Sequence, residues 1–269
     1  MSIYYHLFSL GLGLIIGSFL NVVILRYNTG RTLSGRSGCF SCGRKLRWYE
    51  LVPVLGFVGL RGRCRNCHSQ ISWQYPLVEL LTGFLFALIY WRLGGGWLGV
   101  IFYWLIASLL IIITVYDLKH KIIPDCFVLA LILLGLLKPL FFNQLLTSAG
   151  SFNFALVKAF GWGLVGGLAV ALPLFILWVI SKGRWLGFGD VKLALGLGLL
   201  LGWPAGLSAL ILAFWLGAII GLLLIGWGKT QLWRKGKSYT MKSEIPFAPF
   251  LVLGFWLVFL FSINVLIFF

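Results

Sequence analysis

The sequence predicts an all-α polytopic membrane protein of about eight transmembrane helices, with a small cytosolic subdomain between the first and the second. Three observations carry that expectation. Of the 269 residues 61% are hydrophobic and only 10% charged, against about 25% charged in soluble domains. Apolar runs recur at lengths suited to crossing a bilayer. One basic, cysteine-bearing stretch, 26–76, is the only polar segment long enough to form a subdomain.

Taken in order, Ile3–Leu25 is the first span, and Gly11, Gly13, Gly17, Ser18 and Asn21 on it suit close helix packing in lipid. It is longer than a signal-peptide core and lacks a small-x-small cleavage pattern, so it is expected to remain as an anchor. Pro76 opens a second span, Leu77–Trp91, and Gly94-Gly95-Gly96 turns the chain into a third, Trp97–Tyr116. Asp117–Lys121 reads as a short polar break. Pro124 then suits the first turn of a helix over Asp125–Phe142. After an uncharged loop, Asn143–Asn153, come Val157–Ile180, a glycine-rich polar stretch to Asp190, and Val191–Leu201, which is short for a full crossing. Ala205–Trp227, a basic loop over Lys229–Glu244 and Phe247–Phe268 complete the chain. The domains expected are 1–25, the first helix; 26–76, the cysteine subdomain; and 77–269, a membrane core of about seven helices.

Charge sets the orientation. Of 22 Lys and Arg, all but Arg92, Lys138 and Lys158 fall on one side when loops alternate, which makes that side cytoplasmic. The net charge of +16 is therefore read as topological, with anionic lipid headgroups as the secondary partner and no nucleic acid. Asp117, Asp125 and Asp190 are then expected at the cytoplasmic helix ends of a multi-pass protein of the plasma (inner) membrane, on the same side as the cysteines.

Cys39-Phe40-Ser41-Cys42 and Cys64-Arg65-Asn66-Cys67 form two Cys-x-x-Cys pairs in that segment. In a reducing compartment such pairs point to a closed four-cysteine site with zinc as the usual occupant; four free thiols are the alternative. A stretch of about 50 residues has too small a core to fold comfortably alone, and a metal remedies that. His68, next to Cys67, is expected outside the ligand set, and the lone Cys126 is expected to pack in its helix.

The acidic inventory is Glu50, Glu79, Asp117, Asp125, Asp190 and Glu244. An aspartic peptidase needs two carboxyls that share one proton, one acting on water and the other on the scissile carbonyl. Asp117 and Asp190 supply that pair if their helices touch. The competing expectation pairs them with Lys119 and Lys192 as interfacial anchors. Against it stand Gly187 and Gly189, which permit a tight turn and close backbone approach to a ligand. Asp125 is expected as a supporting first-turn carboxylate. Glu79 and Glu50 are expected to meet an arginine or to orient a substrate charge.

With these residues laid out, the chain resembles the type IV prepilin peptidases, membrane aspartic peptidases with a Gly-x-Gly-Asp signature. The likeness rests on Gly17-Ser18-Phe19-Leu20-Asn21-Val22-Val23, the two cysteine pairs, Tyr75-Pro76-Leu77-Val78-Glu79-Leu80, Asp117 with Ile123-Pro124-Asp125, Gly187-Phe188-Gly189-Asp190-Val191-Lys192-Leu193 and Ile245-Pro246-Phe247-Ala248-Pro249-Phe250. Ala248 departs from the glycine common there, Phe40 from a frequent proline, and Leu51-Val52 from a frequent Asn-Ile. The resemblance implies Asp117 and Asp190 as the catalytic pair, with Asp125, Gly187, Gly189, Lys192 and Glu79 in support. It also implies cleavage after glycine of a basic leader from type IV prepilins or pseudopilins at the cytoplasmic face of the lipid bilayer. N-methylation of the new amino terminus from S-adenosylmethionine is implied as well, in association with the zinc-bearing subdomain at Cys39, Cys42, Cys64 and Cys67. The alternatives are a zinc-ribbon membrane scaffold or assembly protein without catalysis, and a proton-coupled transporter. The transporter predicts acids at the bilayer midplane rather than at helix ends.

Overall fold

In lipid a backbone must satisfy its own polar groups, which favours helices over open sheets. The computed structural model describes residues 2–30, 32, 34–142, 152–228 and 246–268, and no strand occurs among the described residues. The elements are α1 (Ser2–Arg26), a 3-10 turn (Trp48–Leu51), α2 (Leu55–Gly59), α3 (Gln74–Leu93), α4 (Trp97–His120), α5 (Asp125–Phe142), α6 (Phe152–Ser181), α7 (Phe188–Leu201), α8 (Trp203–Gly228), α9 (Ala248–Phe261) and a final 3-10 turn (Val265–Phe268). Glu244, Ile245, the last basic loop and residues 143–151 lie outside the described residues.

Among the described residues five helices are long and apolar enough to cross a membrane: α1, α3, α4, α6 and α8. Eight crossings are expected, and α5, α7 and α9 are further apolar helices outside that set of five. The 14 residues of α7 reach about 21 Å at the helical rise, short of a hydrocarbon core about 30 Å thick. Its C-terminal end has a polar partner, since Lys138 Nζ donates to Leu200 O.

Two helix boundaries differ from the sequence expectation in ways that matter for function. Asp117 is no interhelical break: α4 runs on to His120, with Lys121 N–H donating to Asp117 O at 2.7 Å. Lys119 and His120 in that last turn suit the helix dipole, whereas an aspartate there does not. At the other site α7 begins at Phe188, so Asp190 lies inside its first turn, where a carboxylate is favoured.

The chain forms two compact units, residues 1–115 and 116–269. In the first, α1 and α3 pack closely. A Cβ on Gly13 would lie 2.7 Å from Gly83 Cα, and one on Gly17 2.8 Å from Glu79 Cα, whereas Gly11 faces open space. In the second, α6 meets α7 through Gly166 and Gly198, and α8 meets α9 through Gly254, where a Cβ would fall 2.3 Å from Ala209 O. Small residues let backbones approach this closely.

Candidate active site and metal centre

The cysteine segment folds as two matching loops. Cys39 N–H donates to Arg44 O and Cys64 N–H to Ser69 O, each at 2.9 Å; Gly43 N–H returns to Cys39 O and His68 N–H to Cys64 O. Isolated bridges join Gly38 to Lys45 and Arg63 to Gln70. The residue after each second cysteine takes positive φ, Gly43 at 69° and His68 at 55°. These loops aim their sulfurs at one point: all four Sγ atoms lie within 4.8 Å of one another. Cys39 Sγ and Cys67 Sγ are 3.7 Å apart, and ligands 2.3 Å from a tetrahedral zinc would be separated by about 3.8 Å. The residues fit a closed four-cysteine metal site, and His68 is not among its ligand atoms. The Cys42 N–H, the Ser69 hydroxyl and the Ser41 N–H hold the Cys39 thiol down at about 5, which favours the thiolate that binds metal.

Glu50 braces the first loop, accepting from Arg47 N–H at 2.7 Å and pairing with Arg44 at 3.0 Å. The Arg47 N–H, with the Arg44 charge beside it, holds the Glu50 carboxyl below its ordinary value against the opposing effect of burial. Glu79 departs from expectation. Its carboxylate is buried and meets no arginine among the described residues; it accepts from Val54 N–H at 2.7 Å and from the Ser18 hydroxyl. Val54 carries φ 60° and ψ −50°, a conformation a β-branched residue rarely adopts. The buried carboxylate thus holds a strained turn before α2, beside Asn21, which donates to Tyr75 O and accepts from Gln74.

In the second unit both expected aspartates are buried, Asp117 at 5% exposure and Asp190 at 7%. Their carboxylates lie near enough for the charge on Asp117 to act on Asp190. Two helix N-termini hold them. Ala248, the first residue of α9, donates its backbone N–H to Asp117. Asp190 accepts from Gly187 N–H at the start of its own helix, as the carboxylate of a capping box does. The α9 terminus thereby offsets the unfavourable dipole of α4 at Asp117. One oxygen of each, Asp117 Oδ2 and Asp190 Oδ1, is buried with no hydrogen-bond partner among the described residues.

Lys192 does not pair with Asp190. It forms its ion pair with Asp125 and lies 5.3 Å over the Phe188 ring, and no basic side chain is found against either buried aspartate among the described residues. The interfacial-anchor alternative therefore loses its partners. Asp125 and Lys192 border a groove of about 280 Å³ with Cys126, Val128, Leu129 and Ile132; Cys126 is exposed.

The glycines differ from expectation. Neither Gly187 nor Gly189 has positive φ, so no turn demands them. Gly187 is exposed, and the nearest atom to a Cβ there would be Asp190 Oδ2 at 3.5 Å. At Gly189 that space belongs to Ile123, whose Cβ would lie 3.0 Å away. Sequence reasoning missed two contributors, Ala248 and Ile123. Ala248 acts through its backbone, which makes the departure from glycine harmless to the bond. The only sequence signal for it is Pro249 in the first turn of α9.

Residues 12–93 match the bacterial peptidase A24 N-terminal domain and residues 104–222 the type IV leader peptidase family. A prepilin leader peptidase/N-methyltransferase of Myxococcus xanthus is 38% identical over 80% of this chain and 61% of its own length. Proteins of the same name from Xanthomonas campestris pv. campestris and Aeromonas hydrophila are 31% and 32% identical, over 93% and 94% of this chain and 88% and 89% of theirs. No solved structure matches. Two carboxylates buried at helix ends, a cluster of four cysteines and these likenesses lead to one conclusion: the chain belongs to the type IV leader peptidase family.

Proposed function

We propose that the protein is a membrane aspartic endopeptidase whose Asp117 and Asp190 hydrolyse the bond after a glycine in the basic leader of type IV prepilins or pseudopilins, at the cytoplasmic membrane face. The observation that carries this is the pair of buried carboxylates, each anchored through a helix N-terminus and each with one oxygen unpaired among the described residues. The ionised member takes a proton from water as the oxygen attacks the scissile carbonyl. The protonated member gives its proton to the carbonyl oxygen, and collapse of the gem-diol delivers a proton to the leaving amine. The cytoplasmic assignment is supported by the distribution of lysine and arginine. In this account 26–76 is the metal-binding subdomain, with zinc as its ion, and the hydrolytic chemistry belongs to 77–269.

Methylation of the freed amino terminus is supported by the names of the relatives. S-adenosylmethionine would supply the methyl group; no residue of this chain is assigned to it, and no step is derived through it.

Asp117→Asn and Asp190→Asn, each purified in lipid with its metal content measured, test the hydrolytic role on a prepilin. Cleavage is expected to fall by about 10²–10⁴-fold in both. Full cleavage by either folded variant would leave the scaffold alternative.

A further inference from the structure

Gly189 and Ile123 form the junction between the two elements that carry the aspartates. Asp117 ends α4, and only Leu118–Ile122 separate it from Ile123; Gly189 directly precedes Asp190. A Cβ at Gly189 would lie 3.0 Å from Ile123 Cβ, 3.3 Å from Cδ1 and 3.4 Å from Cγ1. The nearest of these atoms is a Cβ, which no side-chain rotation moves, so relief requires the backbone of one element to shift. The loop resists such a shift. Ile123 is β-branched and precedes Pro124, which confines its backbone to extended conformations. Pro124 is buried, and Lys121 N–H ties the loop to Asp117 O at 2.7 Å. On the other side of the junction the Asp125–Lys192 ion pair joins α5 to α7.

We infer that Ile123 is a positioning residue: seated in the space left by the missing Cβ of Gly189, it sets the separation of Asp117 and Asp190. It assigns the second glycine of the Gly-Phe-Gly-Asp sequence to internal packing rather than to admission of a substrate backbone. The inference rests on the proposed peptidase reading for its consequence, though the contact itself does not.

A set of four variants tests it, with kcat, KM, the pH profile and Tm in lipid measured for each. Gly189→Ala is expected to lower kcat by about tenfold, since the contact is relieved by a few tenths of an ångström and a full ångström of misplacement costs about a hundredfold, with KM little changed and the spacing between the two limbs of the pH profile altered. Ile123→Ala in the Gly189→Ala background keeps the Cβ–Cβ clash and is expected to restore nothing. Ile123→Gly in that background removes the clash and is expected to regain at least about threefold, with the native limb spacing. Ile123→Gly alone, which leaves the junction empty, is expected to lose activity without the same loss of Tm as Gly189→Ala. Native activity in Gly189→Ala would overturn the inference, as would a folded Ile123→Gly/Gly189→Ala protein no more active than Gly189→Ala. If Gly189→Ala does not accumulate, the same pattern is read from accumulation and Tm: restoration by Ile123→Gly but not by Ile123→Ala supports it, and its absence overturns it. Should native protein cleave no prepilin, the peptidase reading fails, while the Tm pattern still decides the contact.

Discussion

Cys39, Cys42, Cys64 and Cys67 fall within 29 residues, and backbone bonds inside each of two matching loops direct the sulfurs. Asp117 and Asp190 stand 73 positions apart, and their oxygens are met by N–H groups at the starts of α9 and α7. The first site is a product of local chain geometry, and an ion bound by its four sulfurs would hold the two halves together. The second is a product of helix packing. Among the described residues its carboxylates meet no cation and are held by backbone N–H groups, which suits the proton exchange proposed for them.

The comparison can be broken most forcefully at the metal. Stripping it with a strong chelator removes a binding term of about 10–16 kcal/mol in comparable structural zinc sites, so metal analysis and limited proteolysis are expected to show residues 27–73 opening while the helices stay protected. If the membrane helices became equally susceptible, the local character of the metal site would be wrong. Next come the aspartate substitutions, whose loss of cleavage by about 10²–10⁴-fold is expected to leave metal content unchanged. A drop in bound metal would show that the two sites are not separately built.

Smaller effects sharpen it. Glu50 is held below its ordinary value, so it contributes stability above the unfolded carboxyl range, and that share is lost as pH falls through its folded value. Glu50→Gln is expected to flatten the acid limb of subdomain stability, measured by protease resistance between about pH 2 and 5, the ordinary carboxyl range and below. An unchanged acid limb would count against the Arg47 contact. Smallest is the swap between the two loops. His68 occupies the positive-φ position that Gly43 fills in its counterpart, at a cost of about 1 kcal/mol for a residue with a Cβ. His68→Gly is expected to slow metal loss to a competing chelator by a few fold, and Gly43→Ala to speed it by about the same factor. A reversed order would mean the loops are not equivalent.

The sequence by itself determined the all-helical membrane character, because apolar runs must become helices in lipid, and the four-cysteine cluster, because all its ligands lie on one short segment. It singled out Asp117 and Asp190 because a carboxylate flanked by apolar runs is costly and rare. It misjudged what those residues touch: the pairing of Lys192 with Asp125, the backbone partners of Glu79, the continuation of α4 through Asp117 and the packing of Ile123 on Gly189 all depend on which helices meet. Those contacts join residues many positions apart, and close packing of whole helices settles them. No property of a single helix encodes its neighbour, so only the tertiary structure decided how each acid is anchored and how near the two come.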